Sequence, residues 1–163
     1  MNRHQARICA MRILYAYDIN ETIINITDKE DIVNFLENIS FFVNPDFRFG
    51  ETEEMDKQIK YDLYNNEFVS ELVLLVVNNM NKIDEVISAA LTDYTIDRLS
   101  YVDRAIIRIA AAEMLHTTLP HHIIINEAIE ITKEYSNLDD GTQSRFTNKL
   151  LDQISTSLGN INE

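Results

Sequence analysis

Ser100-Tyr-Val-Asp-Arg-Ala-Ile-Ile-Arg-Ile-Ala-Ala-Ala-Glu-Met-Leu115 is the stretch whose reading decides the fold. Val102, Ala105, Ile106, Ile109 and Ala110 recur at i, i+3, i+4, i+7 and i+8, the spacing of one face of an α-helix. Ser100 stands where an N-cap is wanted, and Asp103 puts a negative charge in the first turn, where the helix dipole favours it. Two more segments follow the same rule. Beyond Pro120, the run from Ile123 to Tyr135 carries Ile124, Ala128, Ile131 and Tyr135 on one stripe, and it stops in the turn-forming string Ser136-Asn-Leu-Asp-Asp-Gly141. From Thr142 onward, Phe146, Leu150 and Ile154 lie at steps of four.

The chain before this stretch is helical in pattern too. Residues 3 to about 20 place Ala6, Ala10, Ile13, Leu14 and Tyr17 on one side. Thr27-Asp-Lys-Glu30 has the form of a capping box and opens a second helix through Ile32, Phe35, Leu36 and Ile39. Residues 43–60, with Pro45, Gly50 and the run Glu51-Thr-Glu-Glu54, read as a loop whose Phe47 and Phe49, with Phe41 and Phe42, are expected to tuck onto the core. Asp62 to about Asn81 is expected as a long helix. A turn near Asn78 to Lys82 then leads to a shorter one through Ile83, Val86, Ile87 and Ala90, and residues 92–99 connect to Ser100. The expectation is an all-α chain of about seven helices. Three Gly and two Pro in 163 residues agree with it.

A chain of this length suits one domain, since at about 150 residues roughly 70% of the unfolded surface is buried without staples. We take it as one domain, 1–163, with an N-terminal helical part to about 81 and a C-terminal part from 82 to about 158. The single cysteine, Cys9, cannot close an internal disulfide. The longest apolar run, Leu72 to Val77, is too short to span a bilayer, and the N-terminus lacks the apolar core of a signal peptide. A soluble, cytoplasmic protein is expected.

Catalytic chemistry finds little support. His116, His121 and His122 gather around Pro120 without the further ligands a zinc site needs, and are expected as surface residues of a turn. Glu127 and Glu130 stand at i and i+3 without a Glu-x-x-His partner, so they read as solvated helix charge. Ser144 and Cys9 have no recognisable base beside them, and no glycine-rich phosphate loop occurs. No catalytic residue, metal site or cofactor is assigned.

Charge is the more informative property. The net charge of −13 counts against indiscriminate binding to nucleic acid, which needs cations to displace counterions. Its distribution is uneven. Residues 1–17 hold Arg3, Arg7 and Arg12 and no acid, whereas from Asp28 to Glu71 there are twelve acids and four bases. Arg3 and Arg7 oppose the dipole of the first helix, so helix stabilisation explains them poorly. Arg104 and Arg108 stand at i and i+4, with pairing to Glu113 or Glu127 as the default account. In the last segment Arg145 and Lys149 are also at i and i+4, with Gln143 and Asn148 to offer hydrogen bonds and Phe146 an aromatic face. That mixture suits single-stranded RNA, although Phe146 reads equally well as core.

Four pieces in order carry a family resemblance: Ala6-Arg-Ile-Cys-Ala-Met-Arg-Ile-Leu-Tyr-Ala-Tyr-Asp18; Arg98-Leu99 with Val102 to Leu115; Pro120 with Ile125-Asn-Glu-Ala-Ile-Glu-Ile-Thr-Lys-Glu-Tyr135; and Arg145-Phe-Thr-Asn-Lys-Leu-Leu-Asp152. Together they resemble the NusB family of bacterial transcription antitermination factors at both ends of the chain, leaving the middle unmatched. The resemblance implies two small helical bundles packed together. It also implies a non-enzymatic protein that binds boxA RNA of nascent ribosomal RNA transcripts with the ribosomal protein NusE, and acts on RNA polymerase with other Nus factors. Phe146 and Asn148 match the piece that faces the RNA. Lys149 stands where the family usually has glycine. Tyr15, Asp103 and Arg104 match positions near the partner surface, though a packed tyrosine accounts for Tyr15 equally well, and Arg108 reads as a brace between helices. Some NusB-like proteins self-associate, which leaves a homodimer open. The expected RNA site is a small cationic corner of Arg3, Arg7, Arg145 and Lys149, with Phe146, Asn148 and Gln143 reading or stacking bases. The alternative is a NusB-fold interaction module that has lost RNA binding.

Overall fold

The computed structural model describes residues 2–20, 26–39, 65–93, 95–136 and 140–159. Among them are seven α-helices and no strand: α1 (Arg3–Asn20), α2 (Lys29–Ile39), α3 (Glu67–Asn78), α4 (Met80–Ala90), α5 (Tyr101–His116), α6 (His121–Tyr135) and α7 (Thr142–Ser157). One turn of 3-10 helix, Ile96–Arg98, precedes α5. The chain divides into two compact units, Met1–Asn78 and Asn79–Glu163. The loop expected over 43–60, with its phenylalanines, and the start expected for the third helix at Asp62 lie outside the described residues.

In the first unit α1 packs on α3 and α2, and α2 on α3. Asn2 and Gln5 cap α1 reciprocally: Gln5 N donates to Asn2 Oδ1 at 2.8 Å and Asn2 N to Gln5 Oε1 at 3.1 Å. From Ala6 to Ala16 every residue of α1 except Arg12 is buried. A helix apolar nearly all round is an enclosed one. Tyr17 meets Phe35 of α2 edge-on, the ring centroids 5.8 Å apart.

The cap of α2 sits one residue later than the Thr27-x-x-Glu30 pattern suggests. Asp28 Oδ1 accepts from Asp31 N at 3.0 Å, and Asp31 Oδ2 reaches back to Asp28 N, Thr27 N and the Thr27 hydroxyl at 3.3, 2.8 and 2.9 Å. Two carboxylates satisfy the free N–H groups at the helix start, where the dipole also favours them. Those bonds, from Thr27 first and then Asp28, hold the Asp31 carboxyl below the usual aspartate range.

The second unit is built around α5, which packs against α4, α6 and α7. Ser100 caps it, its hydroxyl accepting from Asp103 N at 3.1 Å and donating to Asp103 Oδ2 at 2.8 Å. The periodic face from Val102 to Ala110 is buried, and so are Ile107, Ala111, Ala112 and Met114 on the other sides. Three packed neighbours leave α5 only a narrow edge in reach of solvent, along Tyr101, Arg104, Arg108 and Leu115. On α6 the stripe of Ile124, Ala128 and Ile131 is buried. Asn79 breaks α3 from α4 in a single residue at φ −126°, ψ 21°, a sharper break than the turn expected over 78–82. Among the described residues no helix is long and apolar enough to cross a membrane.

Candidate nucleic-acid interface

The face expected to meet RNA is set by how α7 begins and which side it buries. Asp140 Oδ1 accepts from Thr142 N at 3.0 Å, and Gly141 turns the chain into the helix at φ 99°, ψ −14°. That left-handed conformation is open to glycine and strained for most side chains. The Ser144 hydroxyl donates to Gly141 O at 3.2 Å. Ser144, Thr147, Leu150, Leu151, Ile154 and Ser155 then form the buried stripe.

This stripe turns Arg145, Asn148 and Lys149 outward, all three exposed. They line an open groove of about 640 Å³ together with Asp152, Gln153, Thr156 and Ser157. The last four had not been singled out in the sequence, yet Asp152, Gln153 and Thr156 follow Arg145 at i+7, i+8 and i+11, in register with it. Gln143 and Phe146, at i and i+3, are half-buried at the edge of the stripe. Phe146 thus shares core and surface. The Arg145 guanidinium folds back over the turn: its NH2 lies 3.5 Å from the Thr142 hydroxyl, and a Cβ at Gly141 would stand 2.7 Å from its NH1. Hydrogen bonds from the Thr142 hydroxyl and N–H hold the Asp140 carboxyl below its usual range, with a smaller contribution from the Arg145 charge.

Arg3 and Arg7 belong to the first unit, and both face Phe68 of α3. The Arg3 Cζ lies 3.7 Å and the Arg7 Cζ 5.4 Å from the ring centroid. A cation over an exposed aromatic face is stabilised by about 0.5–1 kcal/mol. Arg3 is exposed, whereas Arg7 is only 6% exposed. Nothing in the sequence pairs Phe68 with α1, sixty-odd residues away.

Three of the expected contact residues are therefore buried, and for these the structure gives another role. Arg7 braces Phe68 from within. Tyr15, 3% exposed, belongs to the enclosed side of α1. Asp103, 6% exposed, is occupied with the Ser100 cap. Arg104 is half-buried: its guanidinium lies 4.7 Å from the Tyr101 ring centroid and donates to the carbonyls of Asp97 and Leu99 at 3.1 and 3.0 Å. Those two carbonyls, just ahead of α5, are partners that the i to i+4 spacing of the arginines does not suggest. Arg108 is a brace, as its register suggests, and it meets a carboxylate on another helix, Asp84 of α4.

The histidines also part company. His116 and His122 are exposed, whereas His121 is buried in the first turn of α6, its Nδ1 2.7 Å from the Ser155 hydroxyl of α7. It is a link between two helices and not a residue of the surface turn. Among the described residues no group of three or more His, Cys, Asp or Glu could hold a metal ion.

Seven helices among the described residues, with cations and amides ranged along the exposed face of the last, define an all-helical protein. The chain belongs to the NusB family, a non-enzymatic family whose model matches residues 4–156. It is 31% identical over 156 residues to the transcription antitermination protein NusB of Campylobacter jejuni (strain RM1221), covering 93% of this chain and 94% of that one. With the transcription antitermination protein NusB of Clostridium botulinum (strain Alaska E43 / Type E3) it shares 35% identity over 157 residues, covering 94% and 98%. Its fold is similar to the solution structure of NusB from Aquifex aeolicus, with a TM-score of 0.66, 24% identity, and 99% and 92% of the two chains covered.

Proposed function

We propose that this protein is a bacterial, cytoplasmic transcription antitermination factor that binds boxA RNA of nascent ribosomal RNA transcripts together with the ribosomal protein NusE. With other Nus factors it would act on RNA polymerase. Family membership over residues 4–156 supports the reading, and the exposed face of α7 is the observation that carries it. Arg145 and Lys149 take phosphates there, Asn148 and Gln143 hydrogen-bond to bases, and the half-buried Phe146 offers its edge to one of them. Arg3, in the first unit, supplies a further contact, with Arg7 behind it. Arg104 serves the partner surface of the second unit, where Asp103 keeps the start of α5 in place, and Tyr15 keeps α1 in place in the first unit.

The net charge of −13 bears on this in two ways. It keeps affinity for arbitrary RNA low, and it favours a basic partner, whose charge raises affinity for the RNA. It also favours the second reading, an interaction module of the same fold without RNA binding. Titration of boxA RNA with the protein alone and with NusE, at several salt concentrations, separates the two. Selective binding that NusE strengthens and salt weakens supports the factor; NusE binding without RNA binding supports the module. Arg145→Ala with Lys149→Ala is expected to weaken RNA binding about tenfold and to lower the salt slope by about 1.4, since each phosphate contact to a single strand contributes about 0.7. Unchanged affinity would remove α7 from the interface.

A further inference from the structure

We propose that Phe68 and Arg3 form a stacking platform for one unpaired base of single-stranded RNA, with Phe68 a positioning residue that acts through Arg3. This rests on the RNA-binding reading above. The Arg3 guanidinium lies 3.7 Å from the Phe68 ring centroid, and Arg3 is exposed. One face of the guanidinium is thereby occupied by the ring. Its other face is planar, positively charged and weakly hydrated, which suits a nucleobase, while its N–H edges suit a phosphate on the same nucleotide.

Stabilisation of the chain does not account for this placement. A positive charge in the first turn of α1 opposes the helix dipole, and the cap is already made by Asn2 and Gln5. The chain holds 27 acids against 14 Lys and Arg, yet Arg3 turns to a ring, and among the described residues no carboxylate forms an ion pair with it. Arg7, one turn further on, approaches the same ring at 5.4 Å and is buried, so the ring carries two cations of which Arg3 is the one at the surface. A phosphate alone would be served as well by a mobile lysine. The stacked plane adds recognition of a flat ring.

The test uses the full chain with NusE and a boxA RNA probe, together with copies of the probe each carrying one abasic nucleotide. Arg3→Ala and Phe68→Leu are each expected to weaken binding about five- to tenfold, the lower end of the range for one stacked base. Phe68→Tyr, which keeps the ring, stays within about twofold of the parent. Arg3→Lys keeps the charge and loses most of the affinity that Arg3→Ala loses. The double variant Arg3→Ala with Phe68→Leu binds no worse than Arg3→Ala alone, which a general structural role for Phe68 would not produce. One abasic position costs the parent chain affinity and costs Arg3→Ala none. Parent-like binding by Phe68→Leu, or by Arg3→Lys with no abasic position sensitive to Arg3, overturns the platform while leaving the α7 interface standing. If neither the parent chain nor any variant binds the RNA, the functional reading falls and the platform with it.

Discussion

Arg108 and Asp84 meet through two parallel hydrogen bonds of 2.9 Å, Nε to Oδ1 and NH2 to Oδ2, which tie α5 to α4. The Arg108 side chain is 11% exposed and that of Asp84 28%, so solvent screens the pair only in part. A forked contact of this kind depends on the shape of the guanidinium as much as on its charge. Arg108→Ala is expected to lower stability by about 2 kcal/mol, because Asp84 is left partly buried beside an apolar gap. Arg108→Lys recovers less than half of that, since an ammonium cannot make both bonds. Urea denaturation followed by circular dichroism measures both, and full recovery by lysine would reduce the pair to simple charge attraction.

The start of α2 is expected to be sensitive to acid. Asp31 in the folded chain titrates below its ordinary value because Thr27 and Asp28 donate to it. A depressed carboxyl contributes stability that is present above its unfolded value and is lost as pH falls through the folded one. Amide protection at Ile32 to Phe35, taken relative to the intrinsic exchange rate at each pH, should therefore fall as the solution is acidified below the ordinary aspartate range. Asp31→Asn should exchange faster at neutral pH and change less on acidification. Parallel pH profiles for parent and variant would show that the cap carries no such linkage.

What could be read ahead of the structure was local. The segments from Ser100, Ile123 and Thr142, the cap at Ser100 and the outward turn of Arg145, Asn148 and Lys149 all follow from residues three or four apart on one helix. What could not be read was the partner across the fold. Arg108 declares itself a brace, but that Asp84 meets it follows from α4 lying against α5, and periodicity carries no information about which helix does. His121 looks like its exposed neighbours until α7 brings Ser155 to it. Phe68 is one more aromatic until α1 lies across it. The cap of α2 misled for a different reason: Thr27-x-x-Glu30 and Asp28-x-x-Asp31 are overlapping boxes, and the second adds bonds from both Thr27 groups to one carboxylate.

The contact between His121 and Ser155 provides a third prediction. Its 2.7 Å bond is buried and joins the start of α6 to the later half of α7. Ser155→Ala removes the hydroxyl and leaves the Nδ1 of His121 without it, which is expected to cost about 1–2 kcal/mol. Ser155→Thr keeps the hydroxyl, and an urea midpoint nearer to that of the parent chain is expected for it. Equal losses in the two variants would mean that space, and not the hydrogen bond, governs the position.

Gly141 joins fold to site, and two substitutions separate its roles. Its φ of 99° strains an alanine, and any Cβ would stand 2.7 Å from Arg145 NH1. Gly141→Ala is therefore expected to cost about 1–2 kcal/mol through the backbone and to push the guanidinium aside as well. Asparagine tolerates the left-handed region better, yet it carries the same Cβ. Gly141→Asn should thus be the more stable of the two in thermal denaturation while weakening RNA binding as much as Gly141→Ala does. In an Arg145→Ala background the effect of Gly141→Asn on RNA affinity should vanish, because no guanidinium remains to be displaced. If it persists there, the turn itself and not the direction of Arg145 is what the RNA senses.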